Sequence, residues 1–376
     1  MTRITTVGGS GRPVNILLVG LGSIGSVYAF LLERSGRAKV TAIARSNYKL
    51  YAEHGITLKT IHGTFENWKP YRVFRSQEEA LSGNVYYDYC LNCTKYLPDV
   101  ITTPKLLAPA IASRKIGAWV LIQNGLGVEE ELYQAVKDQD TPLISGVAWI
   151  GIMTSPDGRV VTWASKDTLV LGTYPPLRPP KESQDRQFTS EELSTRDDFA
   201  EIVRSGGGDV HTEDRITSIR YAKNVINCAW STMEGLMRTT PHTLEDLDES
   251  HREPLKQFIR EIVTTGFKSG LLDEDQLLYP DRSTTGTAEQ LAARVWSSIY
   301  EASCQKYHVG AAPHRMSLLV DLEMGRPFEV EAIEGSVLKL AKEYGVSTPL
   351  LAYSYALLKG SQLETLRKLD GRGAKQ

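Results

Sequence analysis

Lys223, Asn227 and Ser231 stand at i, i+4 and i+8 in an apolar-rich stretch. At 3.6 residues per turn they share one helical face, while Val225, Ile226, Ala229, Trp230 and Met233 lie mostly on others. A polar stripe is usually just a solvated face. This one is a cation with two uncharged hydrogen-bonding side chains, which suits a substrate carbonyl or hydroxyl better than open water. A second constellation lies near the start of the chain. Gly20-Leu21-Gly22-Ser23-Ile24-Gly25 is G-x-G-x-x-G, placed after the branched apolar run Val14–Val19 and opening the helical-looking segment Ser23–Arg34. Glycines there permit a tight turn and close approach of backbone to a pyrophosphate, and a helix N-terminus favours negative charge. A dinucleotide site is the reading, with a structural Gly turn or a flavin site as the alternatives.

The second strand decides which nicotinamide cofactor. About twenty positions beyond the last glycine, NAD-binding folds usually carry Asp or Glu for the ribose 2′-hydroxyl. This chain has Arg45, then Ser46 and Asn47. A carboxylate repels a 2′-phosphate, whereas a guanidinium clamps it. The expected cofactor is therefore NADP(H).

These residues need elements to hold them. Val14–Leu32 carries no formal charge and invites a membrane or signal reading, but Asn15, Ser23, Ser26 and three glycines interrupt it. A parallel strand buried on both faces explains the missing charge better. Further strands are expected at Val40–Ala44, Asp88–Cys93, Trp119–Ile122 and Leu143–Val147, spaced for βαβ units. Period-2 stretches near Ile56–Ile61 and Tyr71–Phe74 extend that sheet or form a ribbon. A Pro156-Asp157-Gly158 turn within Val147–Gly172 predicts a hairpin. Helices are predicted at Ile216–Met237, Arg252–Lys268, Thr287–Tyr307, Met316–Glu323 and Phe328–Tyr344, with a capping-box pattern at Thr287 and Gln290. The fold class is thus α/β: an N-terminal Rossmann-type, mainly parallel sheet over residues 1–213 and an all-helical domain over 214–376. Residues 1–13 read as a flexible tail and 174–198 as a Pro-rich surface insertion. Its PPLRPP piece could dock an SH3-like partner, although a solvated loop is the plainer reading.

Composition narrows the function classes. With 43 Lys+Arg against 45 Asp+Glu in 376 residues, the chain has no basic excess for a phosphate backbone, so no nucleic-acid partner is expected. Four Cys in a chain of this length fit a reducing compartment. Cys90 and Cys93 fall in a predicted strand, where i and i+3 point to opposite faces, and no second pair completes a zinc site. No metal is expected.

The order GLGSIG, CTK ending at Lys95, QNGLG at Asn124, YAKNVINC with Lys223 and Asn227, and SLLVDLEMGRPFEVEAIEG with Ser317 and Glu329 resembles the ketopantoate reductases, or 2-dehydropantoate 2-reductases. The likeness runs from about Val14 to Lys359 and is most specific over Ser317–Gly335. It implies NADPH-dependent reduction of 2-dehydropantoate to (R)-pantoate, a step toward pantothenate and coenzyme A. On that resemblance Lys223 is the catalytic acid, and Glu329 assists it and contacts cofactor or substrate. Asn124, Asn227, Ser231 and Ser317 contact the substrate, while Lys95, Asn124 and the backbone near Ile152 lie along the cofactor with Arg45 and the Gly20–Gly25 turn.

The chemistry agrees with those roles. Hydride addition to a 2-oxo acid leaves an oxyanion, which a nearby ammonium can stabilise and protonate. Glu329, just after Pro327 at a predicted helix start, sits where the macrodipole favours a carboxylate. The chain departs from the family at Ser231, where Asn is frequent, at Phe328, in place of a small polar residue, and in the Pro-rich insertion. Near Thr239–His242 no further substrate asparagine is matched. The alternatives to 2-dehydropantoate reduction are a related reductase of another branched 2-oxo acid and a non-catalytic NADP-sensing protein. A cytoplasmic protein without a membrane partner is expected. The leading tail, with Arg3 and Arg12 and no acid, leaves a mitochondrial address open. Apolar helical surface in the second half suits a homodimer.

Overall fold

The computed structural model describes residues 12–163, 167–176, 187–305 and 315–371. Most of the expected tail therefore lies outside the described residues, as does most of the PPLRPP piece. Arg12 is an exception to a free tail: its guanidinium pairs with the buried Asp88 at 2.7 Å, and the other oxygen of Asp88 accepts from the Asn15 backbone N–H at 2.8 Å. Contacts divide the chain into two units. One runs to Thr94 and adds Thr102–Gln123 and Val128–Ile216; the other takes Lys95–Ile101, Asn124–Gly127 and the chain from Thr217 onward. The change of unit thus falls after Ile216, and two short segments of the N-terminal half group with the helices.

The first unit begins with β1 (Val14–Val19), α1 (Ser23–Arg34), β2 (Ala38–Ile43), β3 (Ile56–Thr60), β4 (Gly63–Trp68), β5 (Arg72–Phe74), α2 (Gln77–Leu81) and β6 (Tyr87–Asn92). It continues through α3 (Thr103–Leu106), α4 (Ala108–Ser113), β7 (Ile116–Ile122), α5 (Glu130–Val136), β8 (Leu143–Trp149), β9 (Ile152–Thr154) and β10 (Val160–Trp163). It closes with β11 (Thr168–Tyr174), α6 (Ser190–Ser205) and β12 (Val210–Thr212). Eight strands form one sheet in the order β12-β11-β8-β7-β6-β1-β2-β5, parallel throughout except where β11 runs against β8. β1 lies inside this sheet with Ile16, Leu17 and Leu18 fully buried, and α1 buries Val27, Tyr28, Leu31 and Leu32. That two-sided burial excludes charge from Val14–Leu32. No helix among the described residues is long and apolar enough to cross a membrane.

The period-2 stretches divide between two sheets. β5 extends the main sheet beside β2, whereas β3 and β4 join β9 and β10 in a four-stranded sheet ordered β4-β3-β10-β9. The hairpin expected over Val147–Gly172 is correspondingly small. Only β9 and β10 form it, around a turn in which Ser155 Oγ donates to Asp157 and the Gly158 N–H to Ser155 O, while β8 and β11 belong to the main sheet. The 174–198 region also needs correction. Tyr174 ends β11, and α6 begins at Ser190 behind a capping box: Thr189 accepts from the Glu192 N–H, and Glu192 accepts from the Thr189 N–H. Buried Phe199, Ala200, Ile202 and Val203 make α6 part of the core.

The second unit is helical: α7 (Ile216–Met237), α8 (Glu249–Lys268), α9 (Ala288–Tyr300), α10 (Ser317–Glu323), α11 (Ser336–Glu343) and α12 (Pro349–Leu369). Tyr221, Val225, Cys228 and Ala229 of α7 share a core with Ile259 and Ile262 of α8, Val295 of α9, Val337 of α11 and Leu351 of α12. α7 has its expected bounds. A wider π turn, Glu331–Gly335, precedes α11, so Glu329 lies just ahead of the helical turns rather than inside them. α12 was not expected. Its N-terminus is fixed by the buried Glu261, whose two carboxylate oxygens accept from the Leu350 and Leu351 N–H groups at 3.2 and 2.9 Å. Pro at the first helical position sacrifices a donor that has no partner within the helix.

Candidate active site

In the first unit the glycine turn follows β1 directly. Gly20 has φ +98°, and a Cβ there would lie 2.7 Å from the Thr94 nitrogen; at Gly25 it would lie 2.2 Å from Gly20 O. A side chain at either position would open the turn. Gly22, the N-cap of α1, meets nothing within 4 Å of an added Cβ. Its bare face and the unpartnered N–H groups of a helix start form a cradle that fits a pyrophosphate. Among the contacts that hold the turn, Asn47 Nδ2 donates to Leu21 O at 2.5 Å, and Ser23 Oγ lies 2.6 Å from Thr154 Oγ1. The latter brings the Ile152–Thr154 strand beside Ser23. Ile24 packs against the main core.

Arg45 is exposed beyond the end of β2. The β2–β5 register pairs Ile43 with Phe74, so Arg75 leaves the sheet beside it. The Arg75 guanidinium stands 4.6 Å from the centroid of the Tyr48 ring. No carboxylate occupies positions 44–48. Two cations in this place, one of them oriented by an aromatic face, match the chemistry of a phosphate-bearing ribose.

In the second unit α7 presents Lys223, half-buried, with Nζ donating to Asn124 Oδ1 at 2.6 Å. The Asn124–Gly127 segment is fastened at three points. Arg220 Nη1 donates to Gly125 O at 3.2 Å, the Leu126 N–H donates to Ala332 O at 2.9 Å, and Gly125 passes so close to Ala332 that an added Cβ would lie 2.5 Å from its methyl group. The π turn supplies the acceptor at Ala332. It also supplies Ile333 O, which receives Asn224 Nδ2 at 3.0 Å.

Glu329 is 6% exposed, and its carboxylate accepts from the Tyr96 N–H at 3.1 Å. Beside it the buried Asp321 pairs with Lys95 and with Arg326, the latter at 3.2 Å. Burial pushes the Glu329 carboxyl up, against the stabilising pull of Lys95, the Tyr96 N–H and Lys223. Burial and the neighbouring Arg220 bring Lys223 down to about 7, while Glu329 opposes them. An amine poised there exchanges its proton at neutral pH, as a general acid requires.

The remaining candidates spread along α7 and α10. Asn227 is half-buried and Ser231 buried on the face that carries Lys223. Ser317 is exposed as the first residue of α10. The start of that helix is held by Glu234, which accepts from the Met316 N–H at 2.7 Å and the Trp230 indole N–H at 2.8 Å. Burial drives the Glu234 carboxyl up to about 7. Sequence reading missed Arg220, Asn224, Glu234, Asp321 and Arg75. Asp321 sits four positions beyond Ser317 on the same helix, a spacing that could have flagged it. The others act through partners remote in sequence. Cys90 is buried inside β6 with Cys93 just after it, and burial pushes both thiols up.

Comparison with known proteins gives the family of the chain. The family model for ketopantoate reductase PanE/ApbA matches residues 16–176, and that for the ketopantoate reductase PanE/ApbA C terminal matches 215–362. The chain belongs to the ketopantoate reductase family. An uncharacterized protein of Saccharomyces cerevisiae is 24% identical over 363 residues, covering 91% of this chain and 92% of its own. The crystal structure of 2-dehydropantoate 2-reductase from Methylococcus capsulatus superposes with a TM-score of 0.71 at 27% identity, over 94% of this chain and 98% of that one. A ternary structure of D-mandelate dehydrogenase with NADH and anilino(oxo)acetate shares the fold at a TM-score of 0.68 and 16% identity, over 94% and 100%. This ketopantoate reductase family member is an oxidoreductase of the NAD(P)-dependent type, with the family's parallel-rich sheet and helical C-terminal region.

Proposed function

We propose that this protein reduces 2-dehydropantoate to (R)-pantoate with NADPH, with Lys223 as general acid. The observation that carries the reading is the Lys223–Asn124 hydrogen bond, with buried Glu329 acting on the same ammonium. NADPH, when bound, supplies the hydride to the carbonyl carbon. Lys223 then stabilises the developing alkoxide and gives it a proton from Nζ, leaving a neutral amine and a hydroxyl. Asn124 holds Nζ in place through Oδ1, and Glu329 favours the charged ammonium that must be regained before the next turnover. Ser317, Asn227 and Ser231 orient the substrate carboxylate and hydroxyl.

NADPH is preferred to NADH in this reading because Arg45 and Arg75 offer guanidinium groups where an NAD site places a carboxylate. A second reading keeps the mechanism and changes the acid. D-mandelate dehydrogenase is seen in a ternary structure with NADH and anilino(oxo)acetate, an aromatic oxo acid. Ser231 is shorter than the asparagine frequent in the family, which suits a bulkier 2-oxo acid. Steady-state NADPH and NADH oxidation across a panel of 2-oxo acids tests both. Highest kcat/KM with 2-dehydropantoate and NADPH is expected; a larger kcat/KM with an aromatic or unsubstituted branched acid selects the second reading, and no turnover with any acid removes both.

A further inference from the structure

We propose that Arg220 is a positioning residue for the general acid: it ties the Asn124–Gly127 segment to α7 through Gly125 O and fixes a second cation one turn before Lys223. The inference rests on the role given to Lys223 above. Three observations support it. Arg220 is 3% exposed, which is uncommon for a guanidinium and requires a structural reason. It stands three positions before Lys223 on α7, so the two side chains share a helical face. Its Nη1 reaches Gly125 O at 3.2 Å, the residue next to the Asn124 that accepts from Lys223 at 2.6 Å. A single arginine therefore acts on the lysine twice, by holding its hydrogen-bond acceptor and by its own charge.

The charge has a definite sign of action. A cation beside an amine in a poorly hydrated site disfavours the ammonium, so Lys223 releases its proton more readily. The groups acting on Lys223 include Arg220 from α7, neutral Asn124 from the 124–127 segment and Glu329 from the stretch after Pro327. Glu329 pulls the other way and is itself tempered by Lys95 and Asp321. Asn224, one position beyond Lys223, fastens the π turn through Ile333 O, and that turn accepts from the Leu126 N–H at Ala332 O, so α7 holds the Asn124 segment directly through Arg220 and indirectly through Asn224.

The test is competitive acetylation of Lys223 across pH, read by mass spectrometry of the peptide containing it, in the wild-type protein, Arg220→Gln and Arg220→Lys. Removal of the charge is expected to raise the labelling midpoint by about one pH unit or more, while lysine at 220 leaves it within a few tenths of the wild type. A role confined to packing would slow or speed labelling uniformly and leave the midpoint in place. An unchanged midpoint in Arg220→Gln overturns the proposal. If that variant does not fold, Arg220→Met, an apolar chain of similar length suited to a buried position, gives the same reading. Labelling needs no turnover, so failure to reduce any 2-oxo acid would defeat the proposed function and leave this result standing.

Discussion

Lys223 Nζ donates to Asn124 Oδ1 at 2.6 Å, joining two residues 99 positions apart in the chain. The amide oxygen helps to fix where the ammonium points. Loss of one hydrogen bond to a charged group costs about 1.5–3 kcal/mol. If that bond is in place when the proton moves, Asn124→Ala should lower kcat by roughly 10- to 100-fold. Asn124→Asp should recover part of the rate, because its carboxylate still accepts from Lys223. Single-turnover kinetics with saturating NADPH checks this, and an unchanged chemical step in Asn124→Ala would remove Asn124 from the reaction.

The acid–base state of Lys223 sets the pH dependence. Burial and Arg220 hold it down to about 7, and the ammonium is the form that donates. In the free enzyme the donating form is present below that value and is lost as pH rises through it. The value of kcat/KM for reduction should therefore fall on the alkaline side from about pH 7, and an anionic substrate should move the corresponding limb of kcat to higher pH. A profile flat from pH 6 to 9, once substrate ionisation is allowed for, would exclude Lys223 as the acid seen in the rate.

Cofactor choice should follow the two arginines beyond β2 and β5. Replacing Arg45 by Asp exchanges attraction for repulsion of a 2′-phosphate, and Arg75→Ala removes the cation stacked on Tyr48. Each charged hydrogen bond is worth about 1.5–3 kcal/mol, so each change should weaken NADPH by about tenfold or more and leave NADH much less affected. Fluorescence titration with both nucleotides measures this. An unaltered NADPH/NADH ratio in Arg45→Asp would mean that the 2′-phosphate is read elsewhere.

The parts legible in the sequence were those fixed by local physics. β1, the glycine turn and α1 follow from an apolar run, three glycines and a helix start within Val14–Arg34, and the bounds of α7 follow from its period. α6 was obscured because the proline cluster before it and its many charges outweighed the Thr189–Glu192 capping box. α12 was missed because apolar side chains surround it: Leu351 and Leu358 are buried, yet Tyr353, Leu357 and Leu363 are exposed. No single apolar stripe marks such a helix. Arg220 and Glu234 were invisible for a different reason. Their importance lies in Gly125 O and the Met316 N–H, backbone groups that only the folded chain brings to them.

The central claim is that Lys223 delivers the proton while taking no essential part in holding NADPH. Stopped-flow measurement of NADPH oxidation with 2-dehydropantoate in Lys223→Ala, alongside its NADPH dissociation constant, tests this most directly. The account predicts a loss of at least about a hundredfold in the chemical step, with NADPH affinity within a few-fold of wild type. Turnover at the wild-type rate in Lys223→Ala would contradict it.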